Sequence, residues 1–70
     1  MQRFGEKLRI LRTQRGLTLR QLSELLDVGY SYIGKMERGE RLPNVTMLVK
    51  IADLFDVSLD KLIRDEFDLD

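Results

Sequence analysis

Apolar residues in this chain recur at three- and four-residue intervals, the repeat of one helix face, and never settle into the alternation of a strand. The spacing predicts five helices. The first runs over about residues 2–15, with Phe4, Leu8 and Leu11 inward and Gly16 as its stop. Thr18 is a natural cap for the second, whose apolar positions are Leu19, Leu22, Leu25 and Leu26. Asp27, Val28 and Gly29 then break the pattern, two turn-prone residues around one apolar plug. The third helix spans about residues 30–38, with Val28, Ile33 and Met36 facing inward and Gly39 ending it. After a loop over residues 39–43, Asn44 caps a fourth helix, about residues 45–55, with Val45, Leu48, Ile51, Ala52 and Phe55 as its buried stripe. Asp56 and Val57 turn the chain again. Ser58 caps a fifth helix, about residues 59–64, with Leu59, Leu62 and Ile63 apolar. The fold class is all-α: a folded unit over residues 1–64, followed by an acidic tail over 65–70 in which Phe67 and Leu69 alternate with acids.

Length and composition narrow what such a unit can be. Seventy residues allow one small core, and domains of this size bury only roughly 60% of the surface their unfolded chain exposes. There is no cysteine and no histidine, so disulfides are excluded and a metal site would have to be built from carboxylates alone. No cofactor is expected. An enzyme is the weakest reading, because nucleophilic and acid–base constellations, a phosphate-cradling glycine loop and metal-ligand spacing are all missing. No run of eighteen apolar residues and no signal-peptide pattern is present, so a soluble, cytoplasmic protein without a membrane or small-molecule role is expected. Lys and Arg number 12 and so do Asp and Glu, but they are unevenly placed. Residues 1–50 hold ten basic against five acidic side chains, and residues 51–70 hold two against seven. The chain is a dipole, and the charge on a contact face matters more than the total.

The third helix carries the sharpest signal. Its outward face holds Tyr30, Ser31, Gly34, Lys35 and Arg38, which are polar, aromatic or tiny, and none is acidic. The run over residues 17–39, LTLRQLSELLDVGYSYIGKMERG, resembles the helix-turn-helix of the lambda-repressor-like, or XRE-type, family of bacterial and phage regulators. The likeness extends in register through FGEKLRILRTQRG (4–16) and LVKIADLFDVSLDKLI (48–63), about nine-tenths of the chain. The resemblance implies a compact five-helix DNA-binding domain whose second and third helices form the motif, the third entering the major groove of double-stranded DNA. It places the base-reading positions at Gly29, Tyr30, Ser31, Gly34 and Lys35. Lys35 can donate to guanine O6 and N7, and Ser31 can donate or accept at several base edges. Phosphate contacts are expected from Thr18, Arg20, Arg38 and Arg41, with Arg12 near the DNA backbone. The chain departs from the family's pattern at three points. Gly29 stands where Ser or Thr usually caps, Tyr30 where Gln or Arg is common, and Leu19 where a phosphate-clamping Gln is usual. Gly34 either brings the helix backbone close to the groove floor, makes room for Tyr30, or has no special role.

The resemblance further implies an ion pair between Arg12 on the first helix and Glu37 near the end of the third, in bidentate geometry and partly buried. Ile10 lies off the first helix's inner stripe. It meets the fifth helix or Phe67 within the chain, or it joins Ile63 and Phe67 in a dimer patch. The tail is either a solvated end, a dimer-forming segment or the start of a linker. The reading that gathers most of these features is a sequence-specific transcriptional regulator, a repressor acting as a homodimer on a palindromic operator, because one recognition helix reads too few base pairs alone. The competing reading is a protein-interaction module of antitoxin or coactivator type, favoured by the balanced charge, Leu19 and the acidic tail.

Overall fold

Three helices start on the side-chain oxygen of their own cap residue. Thr18 Oγ1 accepts the Gln21 N–H at 3.0 Å while Gln21 Oε1 accepts the Thr18 N–H at 2.9 Å, a reciprocal capping box. Asn44 Oδ1 accepts the Met47 N–H at 2.8 Å, and Ser58 Oγ accepts the Lys61 N–H at 3.1 Å. The computed structural model describes residues 1–69, and among them five helices form: α1 (Phe4–Gln14), α2 (Leu19–Leu26), α3 (Tyr30–Glu37), α4 (Val45–Phe55) and α5 (Leu59–Ile63). No strand occurs among the described residues, and none of their helices is long and apolar enough to cross a membrane. Asp70, the last residue of the expected tail, lies outside them.

One turn design is used twice. Asp27 ends α2 at φ 58° and Asp56 ends α4 at φ 55°, left-handed conformations that Asp tolerates better than most side chains. The next residue closes the helix each time: the Val28 N–H donates to the Ser23 carbonyl and the Val57 N–H to the Ala52 carbonyl, both at 3.0 Å. Both valines then pack on the core.

That core is one cluster drawn from all five helices, with Phe4, Leu8, Leu22, Ile33, Met36, Ile51 and Leu62 nearly or wholly removed from solvent. The start of α1 lies close against the end of α3. A Cβ built on Gly5 would fall 2.5 Å from the Met36 carbonyl oxygen and 2.6 Å from that of Glu37, so only glycine fits. Lys7 is also fully buried. Its Nζ donates to the Lys61 carbonyl at 2.6 Å and to the Arg64 carbonyl at 2.7 Å, closing the C-terminal end of α5.

Several sequence expectations shift in detail. The first helix begins at Phe4 rather than residue 2, because residues 2 and 3 donate their N–H groups to the Asp65 carboxylate at 2.9 and 2.8 Å. Val45 is 75% exposed, and Met47 takes its place in the stripe with Ile51 and Phe55. Tyr30 and Leu59, the first residues of α3 and α5, are exposed in the same way, whereas Phe4 and Leu19 at the same position in α1 and α2 are not. Leu25 is exposed as well, leaving Leu22 and Leu26 to anchor α2. The third helix ends at Glu37 and the fifth at Ile63, each one residue short of expectation, and Arg64 already has extended backbone. Ile10 is half-buried and shares a cleft with Arg3, Gln14 and Leu69, while Phe67 stays exposed beneath the Arg64 guanidinium.

Candidate nucleic-acid interface

The third helix is held from both flanks. Ile33 and Met36 anchor its inner side in the core, between α1 and α2. Its C-terminal end is fixed by charge. Arg12 Nε donates to Glu37 Oε2 at 2.6 Å, Nη2 donates to Oε1 at 3.1 Å, and Nη1 donates to the Leu17 carbonyl at 2.9 Å. The two side chains are only 15% and 8% exposed, so this is the bidentate, partly buried pair that the resemblance implies. One guanidinium thus ties α1, the approach to α2 and the end of α3 together. These bonds engage Arg12 Nε, Nη1 and Nη2 and leave its side chain 15% exposed.

That open face belongs to Tyr30, Ser31 and Lys35, all exposed. A shallow groove of about 240 Å³ runs beside them, lined by Ser31, Tyr32, Lys35 and Arg41. Two arginines lean over tyrosine rings on this side: Arg20 of α2 sits 5.0 Å from the Tyr30 centroid and Arg41 sits 5.8 Å from that of Tyr32. Gly29 stands exposed at the helix start without a side-chain cap. Thr18 is exposed at the start of α2, but its hydroxyl is engaged in the capping box. By helix geometry the α2 N–H groups left open there are those of Leu19 and Arg20. Leu19 itself is half-buried against the core.

Gly34 differs from the expectation of an open position. It is buried, with the Arg38 guanidinium lying over it and Leu19 beside it. A Cβ there would meet Arg38 Nη1 at 3.0 Å and Leu19 Cδ1 at 3.9 Å, and Tyr30 is not among its near neighbours. Arg38 is exposed, yet its Nε donates to Glu40 Oε2 at 2.6 Å. That hydrogen bond holds the Glu40 carboxyl below its ordinary value and raises Arg38.

Not all of the basic surplus serves this face. Lys7, Arg15 and Lys50 donate to the ends of α5, α4 and α2, through carbonyls that include those of Phe55 at 3.3 Å and Leu26 at 3.3 Å. Arg3 donates to the Asp65 carbonyl at 2.7 Å and to Asp68 Oδ1 at 3.1 Å. The backbone N–H of Arg3, and then that of Gln2, hold the Asp65 carboxyl below its usual value. Arg20, Lys35, Arg38 and Arg41 remain as the cations grouped on the α2–α3 side. Sequence reasoning did not anticipate Gly5, Lys7, Glu40 or Asp65. A signal existed for Gln21, since Thr18-x-x-Gln21 is a capping-box spacing. A one-residue spacing does not show whether Glu40 folds back onto Arg38.

A family profile of helix-turn-helix proteins matches residues 8–62. The HTH-type transcriptional activator BcrR of Enterococcus faecalis is 43% identical over 63 residues, 90% of this chain but 31% of BcrR, so the chain spans about a third of that relative. The HTH-type transcriptional regulator YazB of Bacillus subtilis is 32% identical over 63 residues, covering 90% of this chain and 91% of YazB. Among solved structures, the restriction-modification controller protein C.AhdI from Aeromonas hydrophila superposes with a TM-score of 0.79 at 35% identity, covering 89% of this chain and 94% of C.AhdI. The N-terminal DNA-binding domain of SinR from Bacillus subtilis superposes with a TM-score of 0.84 at 26% identity, covering 97% of this chain and all of that domain. Five helices in this order, a clamped and outward-facing α3, and a family match across most of the sequence lead to one assignment: the chain belongs to the lambda-repressor-like, XRE-type helix-turn-helix family of DNA-binding regulators.

Proposed function

We propose that this protein is a sequence-specific repressor that reads the major groove with α3 and binds a palindromic operator as a homodimer. The observation that carries the reading is the uncovered α3 face: Ser31 and Lys35 are exposed and bordered by Arg20, Arg38 and Arg41. Ser31 and Lys35 supply base-edge contacts, Tyr30 packs on a thymine methyl or reaches a phosphate, and the flanking arginines grip the backbone. Arg12 acts through Glu37 as a positioning residue, fixing the angle at which α3 is offered.

Pairing follows from reading length, because one short helix distinguishes only three or four base pairs. Two-fold symmetry sets the recognition helices about 34 Å apart, one turn of B-DNA. A chain of 29 × 23 × 19 Å is the right size for two copies side by side to meet that spacing. Exposed Leu42, Val45 and Val49, in the loop after α3 and on the outer side of α4, are the apolar surface we assign to that contact with a second copy. Selection of bound duplexes from a random library tests the whole reading. An inverted repeat with half-site centres about ten base pairs apart supports it, and a set of unrelated bound sequences overturns it. Sedimentation of Val45→Asp should give a monomer where the unaltered chain pairs, and an unchanged dimer would remove this surface from the account.

A further inference from the structure

The end of α3 carries an acidic side chain where the function above calls for cations. Gly39 turns the chain at φ 77°, and the Glu40 N–H closes the turn on the Lys35 carbonyl at 2.8 Å, so the backbone that presents this carboxylate is fixed. The carboxylate is paired with one cation of the recognition side and lies in the field of a second. It accepts from Arg38 Nε at 2.6 Å and also feels the charge of Lys35. Arg38 is seated for this contact, because buried Gly34 has no Cβ to push its guanidinium off the helix. Both partners are more than half exposed, so the pair adds little to folding and stays open to an incoming anion. A phosphate oxygen accepts from a guanidinium with the same chemistry as a carboxylate oxygen.

We propose that Glu40 occupies Arg38 in the place of a DNA phosphate, making it a built-in competitor that limits how strongly the domain grips the phosphate backbone. The inference rests on the DNA-binding reading above. It gives Glu40 a definite consequence. DNA must displace the carboxylate to engage Arg38, and it does so in the face of Glu40's own negative charge. Non-specific binding, which depends almost wholly on phosphate neutralisation, is held down, while the base contacts of Ser31 involve neither partner of the pair.

The test is a double-mutant cycle on the full chain: unaltered, Glu40→Gln, Arg38→Gln and the double variant. Each is titrated against a fluorescent duplex of random sequence at stepped salt, with thermal unfolding as the check that folding is kept. Glu40→Gln should tighten binding about threefold to tenfold at 0.1 M salt and steepen the log K against log salt slope by about one, the contribution of one more neutralised phosphate. Arg38→Gln should cost far more affinity in the Glu40→Gln background than alone. Unchanged or weaker binding by Glu40→Gln, or additive effects of the two substitutions, overturns the proposal while leaving DNA binding intact. Failure of all four proteins to bind duplex DNA overturns the DNA-binding reading and this inference together.

Discussion

Replacing Glu37 by Met is the most informative single change to the scaffold. It removes a carboxylate that accepts two hydrogen bonds from Arg12, at 2.6 and 3.1 Å, and leaves the guanidinium with the Leu17 carbonyl as its remaining partner. Exposed pairs contribute about 0–1 kcal/mol, whereas breaking a fully buried pair costs about 3–5 kcal/mol. Exposures of 15% and 8% put this pair nearer the buried limit, so Glu37→Met should cost about 2–3 kcal/mol. A domain of this size has about 4–10 kcal/mol in total, and each kcal/mol moves its Tm by about 4–8 °C. Thermal unfolding followed by circular dichroism should therefore show a fall of about 10–20 °C. The double variant Arg12→Met/Glu37→Met should recover much of the loss, because two apolar side chains leave no stranded charge. A single substitution costing under about 0.5 kcal/mol, with no recovery in the double variant, would refute the view that this pair locks α3 in place.

Gly5→Ala should destabilise by about 1–3 kcal/mol, since its methyl meets two carbonyl oxygens that belong to backbone; chemical denaturation measures it, and a neutral result means α1 and α3 can part at no cost. Gly29→Ser should raise stability by about 0.3 kcal/mol, because the position lacks a side-chain cap and has nothing within 4 Å to obstruct one. Asp65 gives a pH signature. Its folded-state pKa lies below the unfolded value, so its contribution is complete above the ordinary carboxylate range and is lost as pH falls through the lowered pKa. The Tm difference between the unaltered chain and Asp65→Asn should accordingly shrink on acidification, and a difference constant with pH would mean that the carboxylate does not hold the start of α1.

Helix number, order and turn positions were legible in the sequence because caps and breakers are local: Thr18, Asn44 and Ser58 act within three residues of themselves. The phase of α4 was not, because Val45 and Met47 both fit an apolar stripe. Only packing decides which of the two turns in. The Arg12–Glu37 pair was readable through resemblance, not spacing, since twenty-five residues separate its partners. Charge was the least legible layer. Lys7, Arg15 and Lys50 read as part of a basic half, yet each ends on a helix carbonyl far away in sequence. Asp65 likewise read as tail but caps the start of α1. A count of charges cannot tell a cation that closes a helix from one that faces a phosphate.

If this protein reads DNA, the outward side of α3 touches nucleotides. Amide chemical-shift mapping of the labelled chain with a duplex recovered by selection tests it most directly. The largest changes should fall at Gly29, Tyr30, Ser31, Lys35 and Arg41, with residues 65–69 unmoved. Changes confined to α5 and the acidic segment after it, with α3 silent, would contradict it.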